Sequence, residues 1–359
     1  ELILGDIALE RAKTLRNQLK SSKVSVVQTN ASDEKSLTSA LGKIDVIVNA
    51  TLPRFNLTVM DAALKSNVHY IDLASWTTVK MQLDLDSAWK DAGLTAILGL
   101  GEDPGISNVF ARYVADKLDS VEKIRVRDGE TVVSEDFPFA CLFSPAVFLE
   151  EMFERPDVYE NGAMHRVEPL TGEELYEFPE PVGPLTVYHV SHEETETLPL
   201  FIDKGLRYVD FKLALSPETV QTLKILKQIG LLSDKPLNIK GKEISPKEMM
   251  IALFPKPVDL PGKVDGYASI LVDAKGEKDG EKVRHIVYTF MSHREAYEKY
   301  GATATSYLTG TPPAIGAMMI AKNEIKMRGV ISPECLEPKP FMDKLNQKGI
   351  KTNEKTLKP

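Results

Sequence analysis

An acidic pair, Glu102 and Asp103, follows the point where a buried strand is predicted to end. The preceding residues 94–98 are mostly apolar, and glycines then interrupt the run. A Pro-Gly pair after Asp103 turns the chain toward a helix predicted from about Ser107. Open α/β sheets bind ligands at the carboxyl ends of their strands. The stretch LTAILGLGEDPGISN at 94–108 therefore predicts polar side chains at a ligand site.

The elements that would position this pair are alternating strands and helices in the first hundred residues. Nearly continuous apolar strands separated by helical patterns indicate a parallel sheet covered on both faces. This order is similar to a Rossmann-type, doubly wound dinucleotide domain entered at its second strand. The glycine-rich G-x-G-x-x-G loop, which should lie about 20 residues before Asp6, is absent from the sequence. We therefore expect the given chain to begin after the first βα unit. Strands are predicted at 1–4, 24–27, 44–48, 69–73 and 94–98.

Asp6 lies where a Rossmann domain has the acid that hydrogen-bonds the adenosine ribose, although a plain helix cap is the alternative. A carboxylate accepts from a ribose 2′-hydroxyl and repels a 2′-phosphate. Asp6 therefore predicts NAD, while the nearby Arg11 leaves NADP as the second choice. Small or polar residues at the other strand ends are further predicted cofactor contacts, with ordinary loop or capping roles as the alternative. They are Asn30, Ala31, Asn49, Ala50, Thr51, Leu52, Pro53, Leu73 and Gly101.

Composition limits the class of protein. The 359 residues suggest two domains, and 43% hydrophobic with 27% charged residues is an ordinary globular balance. A net charge of −8 argues against a nucleic-acid partner. No apolar run approaches the roughly 20 residues of a membrane span, so we expect no membrane association. Two cysteines exclude a disulfide framework and predict a reduced, cytoplasmic setting.

The middle of the chain has a different pattern. Residues 124–127 alternate apolar and charged side chains, as in a half-exposed antiparallel strand. Residues 155–184 are rich in Pro, Gly and Glu and are predicted as loops, and 273–282 as an exposed hairpin tip. We expect a second α/β domain with a mostly antiparallel sheet. Further strands are predicted at 185–190, 208–213, 268–272 and 283–290, and helices at 144–154, 217–229, 245–253 and 314–322.

Four segments in the same order carry a family resemblance: NATLPRFNLTVMDAALKSNVHYIDLA (49–74), GLGEDPGISNVFARYVADKL (99–118), GLRYVDFKLAL (205–215) and TGTPPAIGAMMIAKNEI (309–325). They resemble the saccharopine dehydrogenase superfamily over nearly the whole chain. The resemblance implies a Rossmann-type domain from 1–118 and 301–359, with an inserted substrate-binding and dimerisation domain at 119–300. It also implies a homodimer.

The implied reaction is reversible NAD(P)-dependent hydride transfer at an amine-bearing carbon of a lysine- or saccharopine-type amino acid. A polyamine enzyme of the carboxynorspermidine dehydrogenase type is an alternative within the family. A non-catalytic Rossmann-like regulator and a reductase of the homoserine or dihydrodipicolinate type are alternatives outside it.

Such a site needs cations for substrate carboxylates and an acid or base for the amine. Arg207 is the predicted carboxylate clamp, because a guanidinium can bind a carboxylate through two hydrogen bonds; a surface ion pair is the alternative. It lies in Leu206-Arg207-Tyr208, which resembles a family motif. Asp103 is predicted to hold the substrate ammonium, or else to fix its turn. Glu102, Pro104 and Asn108 are predicted to contact the same substrate.

Two histidines precede a run of glutamates. His192, with His189 as the weaker candidate, is predicted as a general acid or base, against an ordinary structural role. The spacing His-x-x-His also resembles part of a zinc site. The segment lacks the helical pattern and residue order of the metalloprotease motif, so we predict no metal.

Overall fold

The computed structural model describes residues 1–42 and 44–357, and its backbone contacts divide the chain into two compact units. The first unit holds residues 1–100 and 313–333, and the second holds 101–312 and the chain from 334 onward. This division differs from the predicted boundaries, because 101–118, 301–312 and the tail after 333 group with the second unit.

Strands and helices alternate up to residue 100, as the apolar runs predicted. In chain order they are β1 (Leu2–Asp6), α1 (Leu9–Leu19), β2 (Val24–Gln28), α2 (Glu34–Leu41), β3 (Val46–Asn49), α3 (Asn56–Lys65), β4 (His69–Asp72), α4 (Val79–Leu83), α5 (Asp86–Asp91) and β5 (Thr95–Ile97).

The remaining chain supplies longer strands and several more helices. They are α6 (Ile106–Lys117), β6 (Ser120–Asp128), β7 (Thr131–Val133), α7 (Pro145–Phe153), β8 (Asp157–Glu160), β9 (Ala163–Arg166), β10 (Glu174–Glu177), β11 (Pro184–His189), α8 (Glu194–Phe201), β12 (Tyr208–Ala214), α9 (Pro217–Gln228), β13 (Leu237–Ile239), β14 (Lys242–Ile244), α10 (Pro246–Leu253), β15 (Asp265–Lys278), β16 (Glu281–Ser292), α11 (His293–Tyr300), α12 (Ala304–Ala321), β17 (Gly329–Ile331), α13 (Pro338–Gln347) and β18 (Asn353–Leu357).

The first unit is built on parallel strands. β1 pairs with β2, and a four-stranded parallel sheet has the order β17-β5-β4-β3. The core on this sheet centres on Trp89, which is fully buried and packs edge-on against Tyr70. Replacing such a side chain by alanine costs roughly 3–5 kcal/mol. These parallel βα units confirm the predicted α/β, Rossmann-type class.

The second unit is built on a mixed sheet of ten strands. Its main path runs β10-β11-β12-β6-β15-β16-β18; off this path, β7 pairs with β15, and β8 pairs with β12 and β9. β6 and β12 are parallel, whereas the other pairs are antiparallel, as predicted for this domain. None of the helices in the described ranges is both long and apolar enough to cross a membrane.

Four local expectations were wrong. The predicted loops at 155–184 contain β8, β9 and β10, and the predicted hairpin tip is mostly strand, with the turn confined to Asp279 and Gly280. The helical pattern of residues 78–91 predicts one helix, whereas the structure forms two short helices there, α4 and α5. Helix α12 begins at Ala304 and continues through the two prolines that were predicted to precede it.

Candidate active site

Asp72 fixes the carboxyl end of the parallel sheet in the first unit. Its Oδ1 accepts a hydrogen bond from the Gly99 N–H at 2.6 Å, and its Oδ2 accepts from the Tyr70 hydroxyl at 2.9 Å and the Gln82 amide at 2.7 Å. Gly99 has a positive φ of 60°, which favours glycine at this strand end. Asp72 is not among the site residues predicted from sequence, although it is an acid at the end of a strand, as Asp6 is.

The loop after β3 is held by Asn49. The Asn49 amide donates to Asn56 at 2.9 Å and Tyr70 at 3.1 Å, and its Oδ1 accepts from the Thr51 backbone at 3.2 Å and hydroxyl at 2.6 Å. The buried Asn49 side chain therefore shapes the loop rather than facing a ligand. Ala50 and Thr51 are exposed and present their backbone at this edge. Leu52, Pro53 and Leu73 are partly or fully buried.

Asp6 ends β1, and its Oδ1 accepts from the Ala8 N–H at 2.7 Å. This bond closes a local turn before α1, whose N-cap Ala8 has no side-chain cap, so Asp6 is not the helix cap. A carboxylate has about four acceptor positions, so this bond leaves room for a ribose hydroxyl. Asn30 accepts from the backbone and hydroxyl of Ser32 at 3.0 and 2.8 Å, and Ala31 packs against the core. The polar strand ends of this unit fit the adenosine and ribose groups of a dinucleotide, and the individual cofactor contacts stay predictions.

A tight turn at 101–105 presents the acidic pair in the second unit. The Gly101 N–H donates to the Pro104 carbonyl at 2.7 Å. Gly105 has a φ of 133°, and a Cβ there would lie 2.1 Å from the Gly101 oxygen, so the turn requires glycine. Asn108 closes the turn by accepting from the Gly105 N–H at 2.9 Å.

Asn108 was predicted to bind substrate, and the structure instead buries it completely. Its amide donates to Glu334 at 3.0 Å and Thr197 at 3.3 Å, so both ends of the side chain are used within the protein. The direct substrate contact is therefore not retained. Asn108 stabilises the turn that carries Glu102 and Asp103.

Seven carboxylates and one histidine from separate elements meet around this turn. Glu102, Glu193 and Glu194 are buried, while the other members are partly exposed and so accessible to a ligand. Ser107 donates to Glu194 at 2.7 Å, and Asp103 shares a hydrogen bond with Asp128. The carboxylate cluster comprises Glu102, Asp103, Asp128, Glu130, Glu151, Glu193 and Glu194, together with His192.

The cluster holds protons that exposed carboxylates would lose. Burial, followed by repulsion from Asp128 and other acids, raises the pKa values of Glu102 and Asp103 well above their usual range. Burial also raises the pKa of Glu130 to about 7 and that of Glu151 to about 8. Several members are therefore neutral or half-ionised near pH 7, and a bound cation would favour their ionised forms.

His192 is the cation of the cluster. Its ring stacks on that of Phe211, with the ring centroids 3.8 Å apart, and its Nδ1 is hydrogen-bonded to Glu194. Burial disfavours its charge, but Glu194, Glu193 and Glu151 outweigh that effect and raise its pKa to about 10. The structure thus brings both predicted catalytic residues, Asp103 and His192, into one cluster. His189 lies apart, with its Nε2 3.4 Å from Asp210.

Arg207 is not part of the cluster. It is exposed and donates to the Asn161 side chain at 3.0 Å. It immediately precedes β12, whose parallel register pairs Tyr208 with Lys123 and Leu213 with Asp128. Six residues of strand place Arg207 about 20 Å from the end that carries Asp128. The predicted clamp is therefore not retained, because strand register carries this arginine to the opposite end of the sheet.

A metal-like arrangement does occur within the cluster. His192, Glu193 and Glu194 offer ligand atoms within 4.8 Å of one another. The Nδ1 of His192 is already engaged by Glu194, and the two glutamates also supply the negative charge that keeps the histidine protonated. The absence of a metal stays a prediction.

Comparison with known proteins identifies relatives along the whole chain. Carboxyaminopropylagmatine dehydrogenase of Synechocystis sp. is 28% identical over 365 residues, covering 99% of this chain and 91% of the relative. Carboxynorspermidine synthase of Vibrio cholerae is 29% identical, and the match covers 96% of this chain and 86% of the relative. The structure of saccharopine dehydrogenase (L-Glu forming) from Saccharomyces cerevisiae superposes with a TM-score of 0.75 at 16% identity. The superposition covers 99% of this chain and 94% of that structure, which shows the same fold.

The Rossmann-type sheet and these relatives define an NAD(P)-dependent oxidoreductase. Residues 1–97 match the saccharopine dehydrogenase NADP binding domain, and residues 101–350 match the saccharopine dehydrogenase C-terminal domain. The chain therefore belongs to the saccharopine dehydrogenase family, which confirms the resemblance. A nicotinamide dinucleotide is its cofactor.

Proposed function

We propose that the protein transfers a hydride reversibly at a C–N bond of a carboxylated polyamine, such as carboxynorspermidine or carboxyaminopropylagmatine. The observation that carries this proposal is the carboxylate cluster, in which seven acids face one cation, His192. Alkylammonium groups donate several hydrogen bonds and carry the charge that such a cluster lacks. The names of two relatives support the same substrate class.

Saccharopine or lysine remains the second candidate, because both matching domain models are named for saccharopine dehydrogenase. Saccharopine carries several carboxylates, and their binding requires cations at the site. Arg207, the cation predicted for that task, lies at the other end of β6 and β12 from Asp128. The charge of the cluster therefore favours the polyamine.

Asp103 is the residue proposed to hold the reacting nitrogen. Its Oδ2 is buried and accepts no hydrogen bond from the described residues, while its carboxyl group shares a hydrogen bond with Asp128. An ammonium N–H would supply the missing donor. The Asp103–Asp128 pair can also hold or return a proton at these oxygens as the nitrogen changes charge. His192 stays protonated and offsets part of the negative charge. The nicotinamide dinucleotide, when bound, supplies or accepts the hydride.

Oxidation of a substrate panel tests the proposal. Carboxynorspermidine, carboxyaminopropylagmatine, saccharopine and lysine would each be assayed with NAD and NADP. We expect kcat/KM for a carboxylated polyamine to exceed that for saccharopine by about 100-fold. Saccharopine carries more carboxylates and fewer amine nitrogens than the polyamine, and each further carboxylate placed among acids is disfavoured. A preference for saccharopine would overturn the proposal.

We also propose NAD as the preferred cofactor, a homodimer, and a cytoplasmic location. Asp6 supports NAD, although the matching domain model is named for NADP.

Exposed apolar side chains on the second unit support self-association; Ile229, Leu253 and Val258 are 67%, 77% and 80% exposed. Light scattering after size exclusion gives the oligomeric state. The low cysteine content supports the compartment, which cell fractionation would test.

A further inference from the structure

The carboxylate cluster has two ends that differ in composition. Glu102 and Asp103 are neighbours in the chain, yet their surroundings diverge. The charges acting on the pKa of Glu102 are those of Asp128 and Glu130. Asp103 is also affected by Glu194 and Glu151, the side of the cluster where His192 lies. Asp128 raises the pKa of both Glu102 and Asp103 and shares a hydrogen bond with Asp103, so we place it between the two ends of the row.

The Glu102 end is lined by helix α12. The Thr305 hydroxyl donates to Glu130, and the Thr309 hydroxyl reaches Glu102 at 3.4 Å while donating to the Thr305 carbonyl at 2.7 Å. These threonines are four residues apart and so lie on one face of the helix. They place Glu130 and Glu102 against the same face of α12, and the charged side chains that act on Glu102 here are all negative.

Resting on the proposed function, we propose that Glu102 and Glu130 form a separate subsite for the ammonium group that does not react. An alkylammonium has three N–H donors and can bond to both carboxylates at once. The buried, unpartnered Oδ2 of Asp103 marks the place of the other nitrogen. Two anchoring points along one row select a chain with two amine nitrogens over a chain with one.

Matched ligand pairs test this subsite by calorimetry on the protein saturated with cofactor. Diaminopropane is compared with propylamine, and putrescine with butylamine, so that each pair differs only by the remote nitrogen. The variants are Glu102→Gln and Glu130→Gln, which keep side-chain shape but cannot ionise when the ammonium binds. Glu298→Gln, an exposed position on α11, is the matched control. Thermal melting verifies that each variant folds.

The unaltered protein and Glu298→Gln should bind the better diamine at least about tenfold more tightly than its monoamine, as expected for one charge-assisted hydrogen bond. Glu102→Gln and Glu130→Gln should abolish most of that difference and leave monoamine affinity within about twofold. With carboxynorspermidine they should raise KM and leave kcat unchanged. Asp103→Asn should weaken diamines and monoamines alike.

The failures of the two proposals are distinguishable. If the unaltered protein oxidises carboxylated polyamines but the glutamine variants keep the full diamine advantage, or lose affinity equally for monoamines, the subsite is wrong and the proposed function stands. If the unaltered protein neither oxidises those substrates nor binds diamines, both are overturned.

Discussion

Asp103 and Asp128 share a hydrogen bond between two carboxyl groups, at the meeting point of the 101–105 turn and the end of β6. Two carboxylates can share a hydrogen bond only if one of them carries the proton. Burial raises the pKa of both groups well above the usual range, which keeps that proton in place. The pair is therefore suited to exchange a proton with an amine nitrogen.

Asp103→Asn should lower kcat as well as weaken binding. The amide keeps the shape of the side chain but cannot take a proton from the nitrogen or balance its charge. We expect kcat to fall by about 100-fold, the low end for loss of a proton-transfer group. Steady-state kinetics with the preferred substrate measures this. An unchanged kcat with a raised KM would limit Asp103 to binding.

Diamine affinity should rise with pH between 6 and 8.5. Burial raises the pKa values of Glu130 to about 7 and Glu151 to about 8, so both are largely protonated at pH 6 and ionise across this range. Putrescine, the longer of the two diamines, stays mostly doubly charged over this range, since an alkylammonium has a pKa of about 10. Binding should tighten about tenfold and release protons at pH 7, because the bound cation lowers the carboxyl pKa values. Calorimetry in buffers of different ionisation enthalpy detects the release; proton uptake would contradict the account.

Arg207→Ala should leave KM within about twofold of the unaltered value, since Arg207 is exposed and bonded to Asn161. Arg166→Ala, at another exposed arginine of the second unit, is the control. A KM increase of about tenfold or more, specific to Arg207, would match loss of a charge-assisted hydrogen bond and restore the clamp predicted from the sequence.

Asp6→Ser should shift cofactor preference toward NADP. The change removes the carboxylate that repels a 2′-phosphate, while the serine hydroxyl can still accept from the Ala8 N–H. Fluorescence titration of NADH and NADPH gives the two dissociation constants before and after substitution. Tighter binding of NADPH than of NADH by the unaltered protein would contradict the assignment of Asp6.

The parallel strands could be predicted because their apolar runs are buried on both faces, as in β4 and β5. β9 could not, because all four of its residues are exposed and show no alternation. The predicted start of helix α12 at 314 was too late, because Pro312 and Pro313 are typical of the start of a helix but lie within this one.

The acidic turn was found from sequence because its strand, glycines and carboxylates are contiguous. Asp128, Glu130 and Glu151 were missed because they join the turn only through the tertiary fold, from β6, the loop after it and α7. The one local signal was the Asp-Gly-Glu at 128–130, which begins with the last residue of β6. The prediction for Arg207 failed because a local motif does not show which end of its strand lies at the site.

A competition experiment tests the central claim most directly. Carboxynorspermidine and saccharopine are mixed at equal concentration with the protein and its cofactor, and their consumption is followed by mass spectrometry. The ratio of the two rates equals the ratio of kcat/KM values and does not depend on protein activity or concentration. The carboxylate cluster predicts that carboxynorspermidine is consumed about 100-fold faster than saccharopine. Equal consumption, or a preference for saccharopine, would contradict a polyamine site built on Asp103 and its neighbouring acids.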